Sequence, residues 1–175
     1  MDLKEHIRSI PDYPKKGILF RDITTLIKNE KAFASCIEQI IERCKKFKID
    51  KIAAIESRGF LFSSALCYNL SKPLILMRKK GKLPAEKYSE DFELEYGKAT
   101  LEIHKDSILS KEKVIIIDDL IATGGTAAAA AKLVEKSGGE VAGFLFVINL
   151  FDLGGKESLE KNGYKCHSLI NFPGH

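Results

Sequence analysis

An α/β protein, with a central and mostly parallel sheet flanked by helices, is expected from three features of this 175-residue chain. Short runs rich in Ile, Val and Leu alternate with longer amphipathic or alanine-rich stretches. One run, Val114 to Ile117, is continuously apolar and β-branched, the pattern of a strand buried on both faces. It leads directly into Asp118 and Asp119, then through Ala122-Thr123-Gly124-Gly125-Thr126 into an alanine-rich helix that closes at Gly138-Gly139. Ligands of parallel sheets collect beyond the carboxyl ends of the strands, so this junction is the leading candidate for a site.

Composition sets the frame for the elements. With 45% hydrophobic and 30% charged residues, the sequence reads as one soluble globular domain over 1–175, neither disordered nor fibrous. At this size, folding removes roughly 70% of the unfolded chain's surface from water. A net charge of +4 fits an anionic small substrate, and no basic stripe interleaved with aromatics argues for nucleic acid. Cys36, Cys44, Cys67 and Cys166 show no C-x-x-C or Cys/His ligand spacing, and reduced, buried thiols in a cytoplasmic protein are expected. The segment MDLKEHIRSI lacks a long apolar core and no apolar run reaches 18 residues, so neither secretion nor a membrane span is expected.

Taken in order, residues 2 to 10 suit a short helix with Leu3, Ile7 and Ile10 on one side, ended by Pro11. Two prolines and a glycine then force an irregular path to a strand-like Ile18-Leu19-Phe20. Between Lys31 and Phe47, apolar Phe33, Ile37, Ile40, Ile41, Cys44 and Phe47 follow helical spacing. Lys51 to Glu56 reads as a buried strand, Ser57-Arg58-Gly59 as a turn, Phe60 to Leu70 as a helix and Pro73 to Met77 as a further strand. Phe92–Tyr96 and Ala99–Ile103 alternate around Gly97-Lys98 and read as a hairpin. Val141 to Leu150 is a long apolar strand, 151–156 a turn, 157–161 a short helix, and Tyr164 to Ile170 the last strand.

The loop from Ala122 to Thr126 has the makings of a phosphate cradle. Small residues let backbone N–H groups approach an anion, two hydroxyls add donors, and the helix N-terminus carries partial positive charge. No Lys-Ser/Thr pair follows the glycines and the dinucleotide spacing is absent, so a nucleoside triphosphate is not the expected ligand. Adjacent aspartates would repel a polyanion unless they had another task. Accepting hydrogen bonds from two neighbouring sugar hydroxyls, or holding the water shell of Mg²⁺, suits them. The plainer alternative is an ordinary strand-to-helix turn.

Other residues admit two readings. Phe20 beside Arg21 and Asp22 reads either as a core ring next to a surface ion pair or as a face for stacking a planar base. Arg58, at the second strand–turn–helix junction, is structural if isolated and an anion ligand if the two junctions meet. From Lys72 to Lys87 the basic residues Lys72, Arg78, Lys79, Lys80, Lys82 and Lys87 face a single acid, Glu86. From Tyr88 to Asp106 the balance reverses, with Glu90, Asp91, Glu93, Glu95, Glu102 and Asp106 against Lys98 and Lys105. Such runs are often solvated faces. A long polar insertion over about 79–106, between two core strands, also has the composition of a mobile lid.

The 118–126 string resembles the 5-phosphoribosyl-1-pyrophosphate (PRPP) signature of type I phosphoribosyltransferases. Pro11-Asp12-Tyr13-Pro14, Phe20-Arg21-Asp22-Ile23-Thr24, Glu56-Ser57-Arg58-Gly59-Phe60, Arg78-Lys79-Lys80-Gly81-Lys82-Leu83-Pro84, Leu94-Glu95-Tyr96-Gly97 and Leu101–Asp106 extend the likeness over nearly the whole chain and narrow it to the adenine branch. The resemblance implies the type I phosphoribosyltransferase fold, with a flexible β-hairpin lid and a small N-terminal hood. It implies Mg²⁺-dependent transfer of the 5-phosphoribosyl group from PRPP to adenine, giving AMP and pyrophosphate in purine salvage, with the metal held through PRPP and water. Asp118 and Asp119 would hold the ribose hydroxyls, and Ala122, Thr123, Gly124, Gly125 and Thr126 the 5′-phosphate. Arg58, and Lys79 from a neighbouring subunit of a homodimer, would meet the pyrophosphate. Phe20 would stack on adenine and the Arg21 backbone would read its polar edge. Glu95 and Tyr96, with Arg58, would act at the reacting centre, Glu95 managing the proton on the base, with Glu102 or solvent as alternatives. A 6-oxopurine phosphoribosyltransferase and a PRPP-sensing regulator are the competing readings; the short segment before Pro11 leaves no room for a DNA-binding element.

Overall fold

The structure, a computed structural model, describes residues 1–94 and 97–175. At the N-terminus the short helix expected over 2–10 is instead a 3-10 turn, Leu3–His6, followed by strand β1 (Arg8–Ile10). Pairing decides the outcome: β1 runs antiparallel to β2 (Phe20–Asp22), with Ser9 opposite Arg21. Leu3 and Ile7 are still buried, as the helical reading required. Ile18 and Leu19 stay outside β2, because the preceding loop is tied to itself: Asp12 Oδ1 accepts from the Gly17 N–H at 2.8 Å.

Helix α1 (Thr24–Ile27) leads into α2 (Glu30–Cys44). Asn29 caps α2 by accepting from the Ala32 N–H at 3.0 Å, and Ala32, Cys36, Ile37, Ile40 and Cys44 form its buried stripe. The chain then builds β3 (Lys51–Ile55), α3 (Arg58–Leu70), β4 (Leu74–Lys79) and the hairpin β5 (Lys87–Glu93) with β6 (Lys98–His104). β7 (Lys113–Ile121), α4 (Gly125–Lys136), β8 (Glu140–Leu150), α5 (Gly155–Lys161) and β9 (Cys166–Phe172) complete it.

Seven strands form one sheet in the order β5-β6-β4-β3-β7-β8-β9. The five from β4 to β9 are parallel, and the hairpin adds antiparallel at the β4 edge through Arg78 and Lys79. Along β7 the side chains alternate between two cores. Ile115 and Ile117 pack with Phe62 and Leu66 of α3, while Val114 and Ile116 pack with Ala130, Ala131, Leu133 and Val134 of α4. Both faces are thus covered, which explains the unbroken apolar run.

β7 does not stop at Ile117. Its pairing with β8 continues from Asp118 opposite Phe146 to Ile121 opposite Asn149, so the two aspartates belong to the strand's last turn of pleat. The four cysteines are free and buried, and burial pushes Cys36, Cys44 and Cys166 up to about 12 and Cys67 to about 11, which keeps them inert. Among the described residues no helix is long and apolar enough to cross a membrane.

Candidate active site

The parallel register of β3 and β7 brings two strand ends side by side, each followed at once by a helix. Gly59 permits the contact: a Cβ there would lie 3.0 Å from the Ile117 carbonyl oxygen and 3.1 Å from Asp118 Oδ1. From the first residue of α3, Arg58 Nε donates to Asp119 Oδ2 at 2.5 Å. The Arg58 guanidinium also lies 5.8 Å from the Phe20 ring centroid, and Tyr13 meets the same ring edge-on at 5.1 Å. Residues 20, 58 and 119 therefore form one contiguous row.

The charges in this row lie within reach of one another. Asp119 is buried at 5% exposure, and its N–H donates to Asp118 Oδ1 at 2.8 Å. Burial, then the Asp119 charge, push the Asp118 carboxyl well above the usual carboxylate range. Burial opposes the Arg58 charge, but Asp119, with Asp118 and Asp22 behind it, holds that guanidinium above its ordinary value.

Gly124, at φ +89°, turns β7 into α4. No side chain caps α4, which leaves the N–H groups of its first turn for an anion. A cleft of about 440 Å³ takes in Arg58, Lys79, Asp118, Asp119 and all of Ala122 to Thr126, with Phe92 and Leu94 of the hairpin region on another wall. Lys79 borders this cleft in its own chain. A cavity of about 510 Å³ lies elsewhere, lined by Phe47, Asp50 and Lys113 where β7 begins, and no expected site residue reaches it.

Phe20 and Arg21 stand beside the cleft without lining it. The Arg21–Asp22 ion pair of the plainer of the two readings is not formed. Asp22 takes Arg8 instead, at 2.5 and 3.0 Å, and those bonds with Thr24 hold its carboxyl down at about 2. Arg21 is buried, donates to Ser9 Oγ at 2.5 Å and to the Pro173 carbonyl at 2.9 Å, and lies 4.4 Å from the Phe172 ring centroid; burial lowers its pKa. Alternation along a strand explains both: neighbouring side chains point to opposite faces. The Arg21 side chain thus anchors the N-terminal pair of strands to the C-terminus.

Glu95 and Tyr96 lie outside the described residues. Glu102, the other carboxylate considered for the proton, is buried at 3% exposure and does not line the cleft. It accepts from Ser89 Oγ at 2.6 Å and the Gly81 N–H at 2.8 Å, and so clasps the base of the hairpin.

Two positions that shape the cleft were given no role of their own in the sequence analysis. Glu56 accepts from the Lys79 N–H and from Lys82 Nζ at 2.8 Å, with Arg78 at 3.5 Å, tying the Arg58 turn to the hairpin base. Its place at the end of an apolar run, where a buried acid needs cations, was the available signal. Gly155 is packed behind the cradle loop; the Gly154-Gly155 doublet following a long apolar strand was the only hint. Among the described residues no group of three or more His, Cys, Asp or Glu could hold a metal.

Comparison with known proteins agrees with this geometry. Residues 22–174 match the model of the phosphoribosyl transferase domain. A curated adenine phosphoribosyltransferase from Pelagibacter ubique is 70% identical over 175 residues, covering 100% of both chains. Among solved structures, an adenine phosphoribosyltransferase from Thermoanaerobacter pseudethanolicus superposes with a TM-score of 0.94 at 50% identity, covering 98% of each chain. The Saccharomyces cerevisiae enzyme, crystallised with an imino-altritol bisphosphate and adenine, gives 0.89 at 38% identity, covering 97% of each. The chain belongs to the phosphoribosyltransferases of type I fold, and within them to the adenine phosphoribosyltransferase family.

Proposed function

We propose that the protein transfers the 5-phosphoribosyl group of PRPP to adenine, releasing AMP and pyrophosphate. The observation that carries this reading is the Arg58–Asp119 contact, which places a cation, two carboxylates and an uncapped helix N-terminus around one cleft. Family membership supplies the substrates.

In the reaction, the C1–oxygen bond to pyrophosphate breaks, a ring nitrogen of adenine bonds to C1, and the proton on that nitrogen leaves. Positive charge develops on the sugar and negative charge on the leaving group. The 122–126 loop holds the 5′-phosphate, and Asp118 and Asp119 accept from the ribose hydroxyls. Arg58 and Lys79 offset the leaving anion; a preorganised donor of this kind contributes about 3–4 kcal/mol. Phe20 supplies an apolar face for adenine and the Arg21 backbone its polar edge. Glu95 takes the proton, and Tyr96 closes with it over the centre. The β5–β6 hairpin, already packed on α4, excludes water that would otherwise hydrolyse PRPP.

Two adjacent carboxylates, Asp118 and Asp119, in a cleft suited to a polyphosphate fit Mg²⁺ carried by the substrate. When bound, the ion neutralises phosphate charge that this chain's cations leave unmatched.

A homodimer is the expected assembly. Leu61 and Tyr68 of α3 and Leu76 of β4 are exposed at 45%, 87% and 40%. Apolar exposure of this kind on two adjoining elements suits a second copy. Incubation of the pure protein with adenine, PRPP and Mg²⁺ should give AMP and pyrophosphate in equal amounts, and a chelator should stop it. Hydrolysis of PRPP without AMP would contradict the reading.

A further inference from the structure

Directly behind the 122–126 loop stands the start of α5. The Gly155 N–H donates to the Ala122 carbonyl oxygen at 3.1 Å. A Cβ on Gly155 would press into that same oxygen and lie 2.8 Å from the Gly124 backbone nitrogen and 2.9 Å from Ile121 Cγ1. The approach is mutual, because a Cβ on Gly124 would lie 3.1 Å from the Gly155 Cα. Two of the three atoms that a Cβ on Gly155 would meet are backbone atoms of the loop itself, which cannot swing aside as a side chain would. Nor can α5 yield easily. Leu159 is buried at 1% exposure in the core beneath α4, and the preceding turn is tied down where Asp152 Oδ1 accepts from the Gly174 N–H at 2.6 Å.

We infer that Gly155 is a positioning residue for the phosphoribosyl donor: it sets the loop's backbone N–H groups at the place the 5′-phosphate occupies, without touching substrate. Gly154, at φ +78° with open space around it, delivers Gly155 to that spot. This inference rests on the proposed function for the identity of the anion. Displacing donors by an ångström or less weakens a site without dismantling the fold.

The test compares the wild-type protein with Gly155→Ala. Michaelis constants for PRPP and adenine are measured separately, and ribose 5-phosphate binding is followed by calorimetry, independently of turnover. The variant should raise the PRPP Michaelis constant and the ribose 5-phosphate Kd by about tenfold or more, with the adenine constant within about twofold. Gly163→Ala, at φ +90° with nothing within 4 Å of the added Cβ, should lower Tm without changing either constant. If Gly155→Ala does not fold, Gly154→Ala strains the same junction and should weaken ribose 5-phosphate binding in the same sense. Unchanged ribose 5-phosphate binding in a folded variant, or equal losses for adenine and PRPP, would overturn the inference. A wild-type protein that binds ribose 5-phosphate but makes no AMP would instead overturn the proposed function.

Discussion

Arg58 and Asp119, separated by 61 positions in the chain, meet through a single hydrogen bond that uses only the guanidinium Nε. Among the described residues the two terminal nitrogens of Arg58 have no hydrogen bond. The contact therefore orients the side chain while leaving its outer edge for an anion, and it compensates the buried Asp119.

Arg58→Lys keeps the charge and loses the fork. We expect kcat to fall by about 10²–10³-fold, since an ammonium cannot bridge Asp119 and the leaving group together. Steady-state kinetics at saturating adenine and PRPP check this, and retention of more than a tenth of the wild-type rate would remove Arg58 from its role.

The double change Asp118→Asn with Asp119→Asn keeps shape and removes both acceptors. Turnover should fall by about 10³-fold or more, because ribose hydroxyls would then face amide donors. Circular dichroism should remain that of the parent. Near-normal activity in this variant would show that the ribose assignment is wrong.

Asp118 gives a prediction about pH and stability. Its carboxyl is raised in the folded state, so folding favours the protonated form; its contribution is full below the ordinary value of 3.8 and is lost as pH rises through the folded value. Asp118→Asn should therefore raise Tm at pH 7, by roughly 2–4 °C for each kcal/mol relieved, and the gain should vanish near pH 3.8. Asp22 has the opposite sign. Held at about 2 by Arg8 and Thr24, it stabilises above 3.8, and that support fades as pH falls towards 2. Asp22→Asn should cost about 1–2 kcal/mol at pH 7, reduced from the full linkage value because Arg8 is half exposed. Thermal denaturation of both variants across pH 2.5–8 would reveal whether the two slopes oppose each other.

Tyr68→Asp and Leu76→Asp place charge on the exposed apolar surface of α3 and β4. If that surface joins two copies, sedimentation should show the wild type as a dimer and the variants shifted to monomer, with Tm dependent on protein concentration only in the wild type. A monomeric wild type would remove the assembly from the account.

Much of this was legible in the sequence, for identifiable reasons. Val114 to Ile117 had to be a two-sided strand, and a glycine-rich loop between it and an alanine helix had few other structures open to it. The same logic located β3, α3 and the hairpin. Pairing between distant segments was not legible. β1 displaced a local helix because Arg8–Ile10 found β2, and β7 ran past the aspartates because β8 continued beside it. Within the site, Asp118, Asp119 and Arg58 were legible because charge at a strand end needs a reason. Arg21 misled, since its strand neighbour Asp22 faces the other way and pairs with Arg8. Gly155 left only the Gly154-Gly155 doublet as a trace, because its close approach to the loop is a backbone crossing that no local pattern encodes.

The proposed function requires that the cleft hold PRPP on its cradle and take adenine against Phe20 at its edge. Its most direct test is to measure nucleotide formation from PRPP and Mg²⁺ with adenine, hypoxanthine and guanine in parallel. Product from adenine, with the oxopurines at least about 10²-fold slower, is the predicted result. Product from an oxopurine instead would keep the cradle and contradict the assignment of the base pocket.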